Sequence, residues 1–175
     1  MVRKFRRPRR WTLAAVVILL LLVALRVALD QFGPPAPPES LPPGTYHVQK
    51  VIDGDTLLLE NFARVRLIGA DTPETVHPDH PVQPWGPEAS QFTKQLVAGR
   101  AVRIELDTRD RVDVHGRFLA YVYVGDRMLN EELIRAGLAR ARTEFPYADR
   151  YKKRFLAAQR EAQQAGRGQW STGRP

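Results

Sequence analysis

Apolar residues form one long run near the N-terminus and only short runs after it. The long run is Trp11 to Leu29, 19 residues with a single Arg near the end, a length that suits a membrane-spanning helix. The 14 residues from Thr12 to Leu25 alone would suit the core of a signal peptide, but the best cleavage site has Arg26 at the −3 position. The pattern favours an uncleaved anchor over residues 11–29, and a cleaved signal is the alternative.

Positive side chains precede this run. The first ten residues contain six of them, Arg3, Lys4, Arg6, Arg7, Arg9 and Arg10. By the positive-inside rule, residues 1–10 form a cytoplasmic tail and the chain after residue 30 lies on the extracytoplasmic side. We therefore expect a single-pass protein of the cell membrane, or a secreted protein if the segment is cleaved. Residues 30–44 carry six prolines and predict a stiff polyproline-II linker.

The remaining residues, 45–171, alternate strand-like and helix-like patterns. Residues 88–98 place apolar side chains at helical spacing after Gly86-Pro87, and Gly99 closes the segment. A second helix is predicted with Asn130 as its N-cap and Glu131 and Glu132 in its first turn, and a third from about Ala148 to Ala165. The five predicted strands, rich in Val, Ile, Leu and Tyr, are His47–Ile52, Thr56–Glu60, Arg64–Ile68, Ala101–Leu106 and Phe118–Val124. The pattern predicts one small α+β domain.

Composition limits the classes of function. A chain of 175 residues has room for one domain with appendages, and the absence of Cys excludes disulfide scaffolds, thiolate zinc sites and cysteine nucleophiles. The net charge of +8 is concentrated at the N-terminus, because residues 1–44 hold seven Lys+Arg and two acids. Residues 45–175 keep 20 Lys+Arg against 17 Asp+Glu, a net charge of +3. Any binding of a polyanion by the domain therefore depends on a few placed arginines.

Carboxylates occur at two turns. In Asp53-Gly54-Asp55-Thr56, the Asp-Gly pair is a hairpin signal, whereas Asp55 is not needed for the turn. Asp71 and Glu74 flank Thr72-Pro73, and the pre-proline residue holds this loop extended. Asp55 and Asp71, with backbone carbonyls, would make an oxygen-only site of the kind that Ca²⁺ accepts. Two aspartates on separate loops are a weak signal unless other groups converge on them.

Two arginine positions are ambiguous when taken alone. Strand alternation puts Arg64 and Arg66 on one face of a strand, where a solvated surface is the ordinary interpretation. Arg117 follows Gly116 and is also typical of a surface residue.

Taken together, these segments resemble the thermonuclease family of staphylococcal-nuclease-like phosphodiesterases over nearly all of residues 45–170. The similarity is carried by five blocks in the family's order: VIDGDT at 51–56, VRLIGADTPET with the following HP at 65–78, GPEAS at 86–90, DVHGRFLAYVYV at 113–124 and NEELIRAGLA at 130–139.

The resemblance implies a fold and a set of roles. The fold would be an OB-type five-stranded β-barrel with three helices. Asp55 and Asp71 match the family's calcium carboxylates, with the Thr72 carbonyl as a further ligand. Glu74 matches the residue that positions or deprotonates the attacking water, and Arg66 and Arg117 match the phosphate-binding arginines. All five side chains are of the required type.

Three positions depart from the family pattern. Thr143 and Phe145 stand where tyrosines line the nucleotide pocket of the well-known member, which changes a hydroxyl contact and part of a stacking surface in a substrate-binding region. Val114 replaces a lysine near the phosphate site.

The expected function is that of a membrane-tethered, Ca²⁺-dependent nuclease. It would cut DNA and RNA at the 5′-oxygen side of the phosphate, leaving 3′-phosphates, with no obligate protein partner. The alternative is a non-catalytic OB-fold module that binds nucleic acid at the cell surface. Such modules rely on aromatic and basic residues. Asp55, Asp71 and Glu74 in one groove would repel phosphate unless a cation lay among them, which favours the enzyme.

Overall fold

The computed structural model describes residues 10–32, 35–75, 81–107 and 112–171. The chain divides into two units, Met1–Ala36 and Pro37–Pro175. In the first unit, helix α1 spans Arg10–Phe32. Residues 1–9 of the predicted cytoplasmic tail and residues 33–34 of the predicted linker lie outside the described residues.

The apolar side chains of α1, from Leu13 to Leu29, are exposed to solvent in the structure. The helical conformation agrees with the sequence pattern. Among the helices of the described ranges, however, none combines the length and the hydrophobicity needed to cross a membrane.

The second unit is built on a closed barrel of five strands. The barrel strands are β1 (Gly44–Asp53), β2 (Thr56–Leu59), β3 (Arg64–Leu67), β5 (Ala101–Leu106) and β6 (Phe118–Val124); the short strands are β4 (Ala70–Asp71), β7 (Arg127–Met128) and β8 (Arg140–Ala141). Neighbouring barrel strands follow the order β3-β2-β1-β5-β6, and a parallel pairing of β3 with β6 closes the barrel. This confirms the predicted five-stranded OB-type architecture.

Side-chain alternation fixes which face of each strand enters the barrel. On β3, Val65 and Leu67 are buried, whereas Arg64 and Arg66 point to the other face, as the pattern predicts. Strand β6 is buried throughout, because its outer face is covered by helix α3 (Leu129–Arg135). The arginines of β3 are therefore displayed on the barrel exterior beside the chain's two carboxylate-bearing turns.

Three helices pack around the barrel, as predicted. They are α2 (Gly86–Val97), α3 and α4 (Lys152–Gln164). The segment predicted as the start of the last helix is a 3₁₀ helix over Pro146–Tyr151, and a second 3₁₀ helix covers Gly168–Trp170. Helix α4 packs on the domain through Phe155, Ala158 and Ala162, which are fully buried.

The prediction for Asn130 is wrong. Met128, in extended conformation, occupies the N-cap of α3, and Asn130 lies inside the helix and is completely buried. Its Oδ1 accepts from the Val122 N–H at 2.9 Å, and its Nδ2 donates to the carbonyls of Ile68 at 2.9 Å and Ala120 at 3.2 Å. Asn130 thus joins the closing strand to the end of β3 instead of capping a helix.

Two glycines fasten the C-terminal segment to α3. Gly137 and Gly168 both have positive φ, and Gln169 N–H donates to the Gly137 carbonyl at 2.9 Å. A Cβ on Gly137 would collide with the Arg167 carbonyl oxygen, and a Cβ on Gly168 would collide with that of Gly137. Only glycine fits at this backbone crossing.

Candidate active site

Asp55 lies in the turn immediately before β2 and is completely buried. Its Oδ2 accepts from the Thr72 N–H at 2.8 Å, and its Oδ1 accepts from the Thr56 hydroxyl at 3.1 Å. Arg66 Nη1 forms an ion pair with the same Oδ1. Burial raises the pKa of Asp55, although Arg66 and the Thr72 N–H act in the opposite direction. A positive charge close to this carboxylate therefore stabilises its ionised form.

Arg66 brings two carboxylates from separate turns together. One arm of its guanidinium pairs with Asp55, and Nη2 donates to Asp71 Oδ1 at 2.5 Å. Arg66 lies on β3, whereas Asp71 lies on the short strand β4 that follows it. The rigid fork of the guanidinium fixes the separation of its two partners. The predicted convergence of Asp55 and Asp71 is thus present in the structure.

The loop that carries Glu74 is anchored by Asp53. This carboxylate is buried, and its Oδ1 accepts from the hydroxyls of Thr75 at 2.7 Å and Ser90 at 3.2 Å. Its Oδ2 accepts from the Thr75 N–H at 3.3 Å. The bond from the Gly54 N–H to Oδ1, at 2.7 Å, is the turn contact that the Asp-Gly signal predicts. The other three bonds tie the β1–β2 turn to the loop and to α2.

Two further contacts fix the backbone of Glu74. Its N–H donates to Gln83 Oε1 at 3.1 Å, and its carbonyl accepts from the Gln83 N–H at 2.9 Å. Gly86 packs directly beneath the loop, where a Cβ would lie 2.6 Å from Thr75 Cγ2 and 3.3 Å from the Glu74 carbonyl oxygen. The loop is consequently held from several sides, which the sequence predicts only in part through Pro73.

Arg117 is oriented by Asp113. The Nε and Nη2 atoms of Arg117 both lie 2.7 Å from Asp113 Oδ2, and the Arg117 N–H donates to Asp113 Oδ1 at 2.9 Å. Burial alone would raise the pKa of Asp113, but the hydrogen bonds from Arg117 and the His115 N–H outweigh it and lower the pKa. Arg117 Nη1 also lies 3.5 Å from the Thr56 hydroxyl. Sequence reasoning identified Arg117 and missed this partner four residues before it.

These side chains surround one open cleft of about 550 Å³, which we call the main cleft. It is lined by Ile52, Asp53, Thr56, Arg64, Arg66, Asp71, Thr72, Glu74, His115 and Arg117. Asp55 lies beneath it through its contacts with Arg66 and Thr72. The structure therefore assembles the six predicted catalytic and metal-binding residues at a single place.

Residues 64–172 of this chain match the sequence model of the protein family described as Staphylococcal nuclease homologue. The chain belongs to this family. It is 46% identical over 130 residues to the Thermonuclease of Staphylococcus hyicus, which covers 73% of this chain and 76% of that protein. It is 48% identical over 129 residues to the Thermonuclease of Staphylococcus intermedius, covering 72% and 76%. Endonuclease YncB of Bacillus subtilis is 38% identical over 127 residues, covering 71% of this chain and 60% of that protein.

In this member of the staphylococcal nuclease family, a second cleft of about 220 Å³ adjoins the first. This side cleft is lined by Arg66, Leu67, Ile68, Gly69, Ala70, Asp71, Asp113, Arg117, Leu119, Arg142 and Phe145. Phe145, which is predicted to bind substrate, is 39% exposed on its wall. Thr143 is partly buried and lines neither cleft. Arg142, which sequence reasoning missed, reaches Asp71 Oδ2 at 3.2 Å.

The donor set can be tested against a metal ion of the kind this family resemblance implies. Within the described ranges, no three side chains of His, Cys, Asp or Glu are grouped so as to hold a metal. Asp55 and Asp71 provide two carboxylates, so the remaining ligands would be the Thr72 carbonyl and water. These are all oxygen donors, and one of them belongs to the fully buried carboxylate of Asp55, whose ionised form is stabilised by positive charge such as that of Arg66. The donors fit a hard cation such as Ca²⁺.

Proposed function

We propose that the protein is a Ca²⁺-dependent nuclease that hydrolyses the phosphodiester bonds of DNA and RNA. The observation that carries the proposal is the convergence of two oriented arginines and three carboxylates on the main cleft. The Thermonuclease and Endonuclease names of the relatives support the same reaction class.

Arg66 and Arg117 bind the scissile phosphate in this proposal. Each guanidinium is held by a carboxylate before substrate arrives, so little conformational entropy is lost on binding. A planar fork contacts two phosphoryl oxygens at once, and its attraction grows as negative charge builds up in the transition state. Phosphoryl transfer depends mainly on such positioning and charge stabilisation.

Glu74 acts as the general base that orients and deprotonates the attacking water. It lines the same cleft as both arginines, and its backbone is fixed by Gln83 and the Asp53-anchored Thr75. A carboxylate on a fixed loop keeps its proton-accepting oxygens at a constant place relative to the bound phosphate.

Asp55, Asp71 and the Thr72 carbonyl would hold the Ca²⁺ ion. When bound, the ion neutralises charge on the phosphate and polarises it. The backbone of Thr72 also donates to Asp55, so the metal-binding loop and the buried carboxylate are coupled directly. The proposed reaction cuts the 5′-oxygen side of the phosphate and leaves 3′-phosphate products, as the family resemblance implies.

A purely nucleic-acid-binding role is less well supported. Asp71 and Glu74 line the main cleft and Asp55 is buried beneath it, so a polyanion in the cleft would pass close to three carboxylates. Their negative charge would weaken the binding of a polyanion. Carboxylates at this place are better explained by catalysis, in which they hold a cation and accept a proton.

We also propose that the domain acts outside the cytoplasm. The basic residues before Trp11 and the apolar run after them favour export, with the segment either retained or cleaved. Protease accessibility of the domain on intact cells tests this. Protection of the domain until the cells are lysed would contradict it.

The activity is tested by incubating the full chain with single-stranded DNA, double-stranded DNA and RNA in Ca²⁺, in Mg²⁺ and in excess EGTA. We expect digestion of each nucleic acid in Ca²⁺, its loss in EGTA, and product ends whose phosphate is released by a 3′-phosphatase. Undiminished digestion in EGTA would exclude the calcium requirement, and products with 5′-phosphates would exclude the proposed bond specificity.

A further inference from the structure

Arg142 is placed at the side cleft by a short antiparallel ladder. Strand β8 pairs with β4, with Ala141 opposite Ala70 and Arg140 opposite Asp71. The Arg142 N–H then donates to the Gly69 carbonyl at 2.9 Å. The ladder therefore brings a third arginine to the edge of the cleft that Arg66 and Arg117 already line.

The guanidinium of Arg142 is partly engaged and partly available. Nη1 lies 3.2 Å from Asp71 Oδ2, and Nε donates to Glu144. Within the described parts of the chain, Nη2 has no hydrogen-bond partner, and 46% of the side chain is exposed. An arginine side chain is cationic at every physiological pH. The group is thus a permanent cation with donors left for a ligand.

The surroundings of Arg142 match the chemistry of a nucleotide. Its guanidinium carbon lies 5.6 Å from the centroid of the Phe145 ring, and Phe145 lines the cleft and is partly exposed. The two acidic side chains of the cleft, Asp71 and Asp113, are already paired with arginines. Guanidinium groups bind phosphate, and exposed aromatic rings stack on bases.

We propose that Arg142 is a substrate-binding residue that contacts the phosphate adjacent to the scissile one, with the intervening nucleotide lying in the side cleft against Phe145. The inference rests on the proposed nuclease function. Because the two clefts share Arg66, Asp71 and Arg117, a chain with its scissile phosphate on these arginines has its neighbouring nucleotide within the side cleft.

A purely structural role accounts poorly for Arg142. Its partners Asp71 and Glu144 are 35% and 52% exposed, and exposed ion pairs contribute little to stability. If Arg142 only held Asp71 in place, its loss would lower turnover equally for every substrate. If it binds a flanking phosphate, its loss weakens binding only for substrates that have that phosphate.

The test compares three dithymidine substrates, each with one cleavable bond: one without terminal phosphates, one with a 5′-phosphate and one with a 3′-phosphate. Their KM, kcat and equilibrium affinity are measured for the full chain in Ca²⁺. For the wild type, we expect one of the two terminal phosphates to lower KM about tenfold, as one charge-assisted contact does. Arg142→Gln should reduce this preference to about twofold with little change in kcat, and Arg142→Lys should retain part of it.

The matched control is Arg140→Gln. Arg140 lies on β8, two residues before Arg142, and its side chain is exposed. It lines a groove with Asp71, Thr72 and Gln169 that contains neither Phe145 nor the two phosphate-binding arginines, so its variant should keep the wild-type preference. Equal phosphate preference in wild type and Arg142→Gln, or equal losses in the two variants, would overturn the inference. An Arg142-dependent binding preference without any hydrolysis would instead contradict the nuclease function and leave the subsite standing. The absence of both hydrolysis and phosphate preference would overturn the Arg142 inference and the nuclease function together.

Discussion

The hydroxyl and the backbone N–H of Thr75 both donate to the buried carboxylate of Asp53, at 2.7 and 3.3 Å. Thr75 follows Glu74 directly, so these bonds join the proposed general base to the turn that also carries Asp55. Glu74, the proposed base, and Asp55, the proposed metal ligand, thereby belong to one hydrogen-bonded unit.

Removing Asp53 should disturb the Glu74 loop. Asp53→Ala leaves the donors of Thr75 and Ser90 without their buried acceptor, and we expect about 2–4 kcal/mol lower unfolding free energy. We expect kcat to fall at least about tenfold with a smaller change in KM, because the loop positions a group for the chemical step. Urea unfolding and steady-state kinetics measure these effects.

A matched pair at Thr75 separates positioning from general damage to the fold. Thr75→Ser keeps the hydroxyl donor to Asp53 and should retain most of the activity, whereas Thr75→Val should lower kcat. Equal kcat for the two variants would show that the contact does not position Glu74.

Lysine should not substitute functionally for Arg66 or Arg117, the proposed phosphate-binding arginines. Arg66→Lys and Arg117→Lys keep the charge but lose the planar fork. This fork contacts Asp55 and Asp71 in the case of Arg66, and Asp113 in the case of Arg117. Its proposed contact with two phosphoryl oxygens is lost as well. We expect kcat/KM to fall about 10²-fold in each case, measured on single-stranded DNA in saturating Ca²⁺. Arg100→Lys, at an exposed position after α2, is the control and should match the wild type. A loss below about threefold in either cleft variant would remove that arginine from the assigned role.

Ionisation of Asp113 should make the stability of the folded protein depend on pH in the acid range. Its pKa is lower in the folded protein than the ordinary value of about 3.9, so the folded state favours the ionised form. The resulting stabilisation is fully present above the unfolded pKa and is lost as pH falls through the folded pKa. The difference in Tm between wild type and Asp113→Asn should therefore be constant from pH 7 to about 5 and shrink below about pH 4. A difference independent of pH down to about 3 would contradict this assignment.

The crossing of Gly137 and Gly168 should tolerate no side chain. Gly137→Ala combines an unfavourable positive φ of 72° with a collision against the Arg167 carbonyl, and we expect a loss of about 3 kcal/mol or more. Gly125→Ala is the matched control, since Gly125 has a φ of 60° but, chain neighbours aside, no atom of the described residues lies within 4 Å of the place that a Cβ would take. That variant should lose only about 1 kcal/mol. Equal losses in chemical denaturation would exclude the packing account.

The barrel strands and the positions of the arginines on β3 follow from side-chain alternation, because one face of each strand must be buried. The two-residue strands β4, β7 and β8 leave no such pattern, so their pairing depends on the assembled barrel. Asn130 is predicted as a cap from local chemistry, but its amide satisfies three backbone groups from two other segments. Tertiary hydrogen bonding therefore outweighs local propensity at this residue.

The central site residues are recognisable from motif blocks, whereas their supporting residues are not. In the sequence, the Asp-Gly turn alone accounts for Asp53. Its hydrogen bonds with Thr75 and with Ser90 of α2 form only in the folded domain. Arg142 is one of several arginines in a basic segment, and only the β4–β8 ladder distinguishes it by placing it beside Asp71.

The turnover of Glu74→Gln tests the central claim most directly. Glu60→Gln is the control, since Glu60 is exposed and accepts a bond from the His47 N–H that glutamine can also accept. Cleavage of single-stranded DNA is measured for the full chain in saturating Ca²⁺, with thermal unfolding to verify that both variants fold. The account predicts that Glu74→Gln keeps the wild-type Tm and loses at least about 10²-fold in kcat, while Glu60→Gln is unchanged. Near-wild-type turnover of a folded Glu74→Gln protein would contradict the assignment of the main cleft as the hydrolytic site.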